Sequence, residues 1–327
     1  MADSIHRRKK LKLEGTTATA QSFPHPIAVL ADKYTAAIEL TEVIAAPVLD
    51  CKQLSCLMRQ FKDHLPLDGL THVKRIQKDE HGNYAIIVCL RKHLSDISEL
   101  AMQEWIKNQP ISWEYLGNLY IVQVAATSAL TRKQFEVASK YWPISFYEDK
   151  RISTAIEGKL FNQEVIQNIY NNMDIAISTA LENSMFKIGA VMVDPESNKV
   201  LAKASDGRSR NVDSSLLKHA VMTCIDDIGK MHVAVENTNN SSKLPNEESN
   251  NQRGYLCTGY DLYVTKEPCV MCAMALVHSR IKRVFYAVED KEYGALGSRY
   301  KIHVHEGLNH HFEVFKNIYR DRCLQLQ

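Results

Sequence analysis

No stretch of this 327-residue sequence is long and apolar enough to span a membrane as a helix. The longest charge-free segments, Gly15–Ala31 and Tyr115–Thr131, are broken by Pro, Gly, Asn, Gln, Ser or Thr. The first residues lack the apolar centre of a secretory leader, because Arg7, Arg8, Lys9 and Lys10 fall where it would lie. A dominant charge of one sign is missing as well. Forty Lys and Arg against 38 Asp and Glu leave +2, so any nucleic-acid-binding surface has to be local. These absences lead to the expectation of a soluble intracellular protein. The chain has about twice the ~150 residues of an average domain, so two domains are the default. Its 45% hydrophobic and 24% charged residues exclude wholesale disorder. Eight cysteines occur without a leader, which implies reduced thiols rather than a disulfide framework. Among them, Cys269 and Cys272 alone have metal-ligand spacing.

Residues 1–26 are polar, carry the basic run His6–Lys12 and end near Pro24 and Pro26, the composition of a disordered tail. Arg7–Lys10 read either as a nuclear-import signal or RNA-touching arm, or as a solvated tail, and the compartments expected are nucleus and cytoplasm. Residues 27–155 read as one α+β domain. Its pattern is an extended Ala36–Ala45, a helix over Leu54–His64, strands over Thr71–Gln77 and Tyr84–Leu90 around an Asp79–Asn83 turn, a helix over Ser95–Lys107, a strand over Leu119–Ala125 and a helix over Arg132–Tyr141. The order β-α-β-β-α-β predicts a ferredoxin-like sheet, a fold that decides nothing about function. Trp142, Pro143, Phe146 and Tyr147 close it at a domain boundary.

Residues 160–327 read as a second domain. A helix over Asn162–Glu182 repeats apolar residues every four positions, at Val165, Ile169, Met173, Ile177 and Leu181. Strands over Ile188–Val193 and Lys199–Ala204 flank a turn at Asp194–Asn198, and a helix over Ser214–Ile228 follows Asp213 as its cap. The Asn- and Ser-rich 236–253 segment reads as a flexible insertion. A strand over Asp261–Thr265 runs into a helix near Cys269, and Arg283–Val288 is the next strand. Such alternation predicts three α/β/α layers.

His219 and the Cys269–Cys272 pair, fifty residues apart, each lie near the start of a helix that follows strands of this sheet. One imidazole and two thiolates form a zinc set that leaves a fourth position open. Cysteines three apart share a helical face, and a helix N-terminus favours thiolate over thiol. A redox pair or plain burial is the competing reading of the cysteines, and Cys224 is expected in the core.

The tract Thr265–Arg280, with Pro268-Cys269-Val270-Met271-Cys272 at its centre, resembles the second zinc motif of the cytidine/deoxycytidylate deaminase superfamily. Within it the tract is most similar to the tRNA adenosine deaminases, as are Gly294-Ala295-Leu296-Gly297-Ser298 and Leu308-Asn309-His310. The resemblance spans about half the chain, from Asn162 onward, and implies a cytidine-deaminase-like fold and a zinc ion held by His219, Cys269 and Cys272. It departs from the pattern at one decisive place. Where the superfamily carries the proton-shuttling Glu, two residues after the His, this sequence has Val221. Losing a general acid/base costs ~10²–10⁴ in rate.

With the added N-terminal domain, that departure resembles the accessory subunits of eukaryotic heterodimeric tRNA adenosine deaminases, which convert the anticodon wobble adenosine to inosine. The resemblance implies a Glu-bearing catalytic partner, a tRNA partner, a structural zinc and no catalytic residue in this chain. Lys74, Arg75, Lys92, Arg208, Arg210, Arg320 and Arg322 are the main candidate RNA contacts, although each alone is more often a solvated surface residue. Ala273–Val277 and Arg283–Tyr286 suit a subunit interface or a core. The fourth zinc ligand stays open between water, Cys323 and the carboxylate of Gln327. Two further readings are a stand-alone nucleoside or nucleotide deaminase with a displaced acid such as Glu267, and a non-enzymatic RNA-binding scaffold.

Overall fold

In the computed structural model of the chain, which describes residues 23–91, 104, 107–182, 185–209, 215–240 and 256–326, the first strand joins the far end of the molecule. Strand β1 (Ile27–Ala28), not foreseen as a strand and lying at the start of the expected N-terminal domain, pairs antiparallel with β10 (Glu313–Lys316) at the edge of a six-stranded sheet. The other strands of that sheet are β6 (Gly189–Asp194), β7 (Lys199–Ser205), β8 (Asp261–Lys266) and β9 (Arg283–Val288), in the order β1-β10-β9-β8-β6-β7. β8, β9 and β10 run parallel, and β6 pairs antiparallel with β7 and β8.

Between β1 and the rest of that sheet the chain builds a second one from β2 (Leu40–Val48), β3 (Ile76–Lys78), β4 (Tyr84–Leu90) and β5 (Tyr120–Ala125). Its order, β3-β4-β2-β5, with every pair antiparallel, follows from the expected split βαβ pattern. Residues 71–75 leave the strand foreseen over Thr71–Gln77, as Val73 bridges Ile144 and Lys74 N–H donates to Pro143 O at 3.0 Å. Of the helix foreseen over Ser95–Lys107, Glu104 and Lys107 are helical and the remainder lies outside the described residues.

Alternation along β2 and β4 sends side chains to two cores. Ile44, Ala46, Ile86 and Val88 pack with Leu57 and Phe61 of α1 (Leu54–His64). Val43, Ala45 and Ile87 pack with Ala138 of α2 (Arg132–Ala138) and with Trp142. Both faces of this sheet are therefore covered. The chain returns through α3 (Lys150–Ile156) to the long α4 (Gln163–Leu181), capped by Asn162.

α4 lies on one face of the six-stranded sheet, burying Ile166, Ile169, Met173 and Ile177 against Val191, Val193, Tyr263 and Phe285. A buried side chain of this kind contributes ~1.5–3 kcal/mol. Contact is so close that a Cβ on Gly189 would stand 2.1 Å from Ala176 O, and only glycine fits there. The opposite face carries α5 (Ala220–Asn240) and α6 (Val270–His278), which gives the three layers expected. α5 begins six residues later than foreseen and continues through Glu236–Asn240, the start of the supposed flexible segment. Asp213 and residues 241–253 lie outside the described residues. A short helix, α7 (Arg320–Leu324), ends the fold.

His303 is buried beside β1, where its Nε2–H donates to Val29 O at 2.8 Å. Its Nδ1 has no hydrogen-bond partner among the described residues. Burial lowers its pKa from 6.5 to about 4, so the folded ring is neutral while an unfolded one takes up a proton between those values. The stabilisation is fully present above pH 6.5 and is lost as pH falls toward 4, a change of ~3 kcal/mol. His303→Gln should flatten the rise of the urea midpoint between pH 4.5 and 7; equal slopes in variant and parent would contradict this.

Candidate metal centre

Two helix starts converge on the described metal cluster. His219 immediately precedes α5, and its carbonyl accepts the Thr223 N–H at 3.0 Å. β8 runs into Glu267 and Pro268 and delivers Cys269 as the N-cap of α6, with Cys272 one turn on. His219 Nδ1 and Cys269 Sγ are 3.7 Å apart, and all three ligand atoms lie within 4.8 Å of one another. Tetrahedral zinc with ordinary Zn–N and Zn–S bonds separates such a pair by about 3.6 Å, so the set fits the ion.

The thiols are already poised for it. A hydrogen bond from Cys272, the backbone N–H groups of Cys272 and Met271 and the nearby imidazole bring the Cys269 pKa down to about 5. Donation to that thiolate and burial push Cys272 upward. One proton is thus shared by two sulfurs, the place a divalent cation would take.

The cluster forms part of a cavity of about 460 Å³ whose wall also includes Phe186, Asp206, Arg208, Val221, Glu267 and Tyr293. Val221 is buried where the superfamily pattern puts its proton carrier. The three carboxylates at the cavity are committed elsewhere. Glu267 accepts from the backbone N–H groups of Asp290, Leu296 and Ser298 at 2.9–3.0 Å and from Ser298 Oγ. Asp206 receives two bonds from Arg208, at 2.8 and 2.9 Å. Asp290 pairs with Lys266 at 2.9 Å and accepts from Glu292 and Tyr293. On α5, Asp226 and Asp227 pair with Lys230. The displaced acid that the sequence leaves open at Glu267 is therefore a loop anchor.

Several other expectations change. Arg75 is half-buried, donates to the carbonyls of Leu65, Ile87 and Val88 and lies over the Phe61 ring, and burial lowers its pKa to about 10. Arg208 is held by Asp206 and stacks on Phe186, with 4.4 Å to the ring centroid. Arg322 pairs with Asp174 at 2.5 Å above Tyr319. Arg75 and Arg208 are thus engaged inside the chain, whereas Arg322 stays about half exposed in its surface pair. Lys74 and Arg320 are exposed, while Lys92 and Arg210 lie outside the described residues. Cys323 is buried on the α4 face of the sheet, across from the metal cluster, and is no ligand; Gln327 lies outside the described residues. Ala273, Leu276, Val277 and Val284–Tyr286 are core rather than interface, and Cys224 is buried as expected. Phe186, Asp206 and Tyr293 at the cavity escape sequence reasoning, since no motif marks them.

Family comparison agrees with both halves of this architecture. Residues 166–288 match the cytidine and deoxycytidylate deaminase zinc-binding region, and residues 41–142 match the N-terminal domain of the tRNA-specific adenosine deaminase TAD3. A zebrafish (Danio rerio) protein named "Probable inactive tRNA-specific adenosine deaminase-like protein 3" is 39% identical over 91% of this chain and 93% of its own. The human protein of that name is 36% identical over 90% of each. The tRNA-specific adenosine deaminase subunit TAD3 of Saccharomyces cerevisiae is 28% identical over 81% of this chain and 79% of its own.

Proposed function

The chain belongs to the family of tRNA-specific adenosine deaminase-like protein 3, and we propose that it is the non-catalytic subunit of a heterodimer that converts the wobble adenosine of tRNA anticodons to inosine. The observation that carries this reading is a complete His219-Cys269-Cys272 ligand set beside Val221, with every cavity carboxylate engaged by other groups. Hydrolytic deamination adds water to the base and releases ammonia, and a carboxylate must carry the proton from one to the other. Val221 cannot, so a Glu-bearing partner supplies that step. Zinc, when bound, cross-links the starts of α5 and α6 and adds folding free energy. Here His219, Cys269 and Cys272 would hold it, while Val221 only packs.

RNA is the second half of the reading. Because α2 and Trp142 cover one face of the four-stranded sheet and α1 the other, bases cannot stack on an open sheet as they do in many RNA-binding domains. The tRNA is held instead through its phosphates, by exposed cations such as Lys74 and Arg320 and by the basic tail, which also serves an import role in a protein of nucleus and cytoplasm.

The splice point shapes the test. Deleting residues 1–150 would also remove β1 and strip the edge of the six-stranded sheet. Replacing residues 40–146 with a flexible linker keeps that strand. This variant should still pair with the catalytic subunit and bind tRNA at least about tenfold more weakly; unchanged tRNA affinity would overturn the role given to the four-stranded domain.

A further inference from the structure

The metal turn is the first link of a longer chain of contacts. Glu267, next to the ligand-bearing Pro268-Cys269, gathers loop 290–298 through both of its oxygens. Pro268 O accepts the Ala295 N–H at 2.9 Å, and Cys269 bridges Gly294. A Cβ on Gly294 would stand 2.4 Å from both Asp290 O and Glu267 Oε2, so the loop seats only because that residue has no side chain. The loop then folds on itself, with Gly297 N–H donating to Tyr300 O at 2.8 Å and Ile302 N–H to Ala295 O at 3.0 Å.

Its far end grips the polypeptide that leads into the four-stranded sheet. Lys301 Nζ donates to Leu30 O at 2.9 Å and pairs with Asp32 at 2.5 Å. His303 donates to Val29 O, and Lys33 pairs with Glu306 at 3.2 Å. On the other side of the same segment, Gln134 of α2 donates to Lys33 O at 2.8 Å and to Ala36 O at 3.0 Å. The return segment is fastened elsewhere, by Arg151 to Glu313 of β10. The entry connection is therefore held by β10, through β1 and the Val29 N–H to Val314 O at 2.8 Å, and beyond Val29 by the loop seated on the metal turn, whereas the return connection is fastened to β10 alone.

We propose that Glu267 and Lys301 are positioning residues that fix where the four-stranded domain stands relative to the metal cavity, so that the retained metal centre, without reacting, sets the geometry in which RNA is presented. The functional consequence rests on the reading above that this domain holds tRNA. Coupling requires a contiguous physical link with a measurable effect at both ends, and hydrogen bonds of Glu267, Pro268, Ala295, Lys301 and Lys33, joined by short stretches of backbone, carry it from the metal turn to Gln134.

The test uses the zinc-loaded full chain. Glu267→Gln keeps the volume but turns an NH₂ group against N–H donors on either oxygen's side, and Lys301→Met cuts the link at its other end, away from the ligands. Nitroxides on the exposed Cys56, with the exposed Cys51→Ser, and on the exposed Asp321→Cys report the distance between the domains. Zinc content should stay at the parent value in Lys301→Met. The distance distribution should shift or broaden in each single variant, and the double variant should look like either single one, because both cut one link. In the complex with the catalytic subunit, tRNA affinity should fall about three- to tenfold in each. A parental distribution in Lys301→Met, or a double effect equal to the sum of the singles, would overturn the proposal. Should Glu267→Gln lose zinc or fail to fold, Lys301→Met decides alone. A complex that binds no tRNA would refute the functional reading while the distances still judge the link.

Discussion

Cys269→Ser should strip the metal from the chain and lower its thermal midpoint by roughly 10 °C or more. Serine at an N-cap is a good local substitute, so the helix start itself loses little. What is lost is a thiolate whose pKa the fold has already brought to about 5, and with it one of three protein ligands. Structural zinc adds ~10–16 kcal/mol to the folding of small zinc peptides, and forfeiting even a third of that shifts the midpoint of a domain the size of the ligand-bearing half by about 10 °C. The loss should be felt at both helix starts, since His219 then faces a single remaining thiolate. Zinc content by atomic absorption together with a melting curve reads the effect, and a variant that kept both parental values would show that the cluster is not a metal centre.

Val221→Ala, by contrast, should be nearly silent in the assembled complex. Removing a working proton carrier costs ~10²–10⁴ in rate, whereas shortening a buried valine costs ~1–2.5 kcal/mol of stability and leaves the chemistry untouched. Wobble inosine formation should stay within about twofold of the parent at a temperature where both complexes are folded. A hundredfold loss with intact assembly would place position 221 in the reaction.

Much of this was legible in the sequence because it is carried by periodicity and local chemistry. The Leu54–His64 helix and the Tyr84–Leu90 strand lie where their patterns put them, and the His219-Cys269-Cys272 set follows from residue type and helix-start position. β1 was not legible. A two-residue strand has no period, and its partner lies almost three hundred positions away. The extension of α5 through Asn240 was hidden by Asn- and Ser-rich composition, which favours loops, although a helix nucleated on a packed face gains one hydrogen bond for each residue added. Arg75, Arg208 and Arg322 looked like free cations because a sequence lists charges without their partners. Only the fold reveals that carbonyls engage Arg75 and a buried Asp206 engages Arg208, while Arg322 pairs with Asp174 at the surface. Glu267 misled for the same reason, since a carboxylate next to a metal motif looks catalytic until its four donors are seen.

The central claim is that this chain holds a metal and performs no chemistry. Its most direct measurement is an inosine assay on tRNA with the zinc-loaded chain alone, with the Glu-bearing deaminase subunit alone and with the two together. No turnover is expected from the chain alone, and robust wobble-position inosine only from the pair. Deamination by the isolated chain, at any rate above background, would contradict that claim.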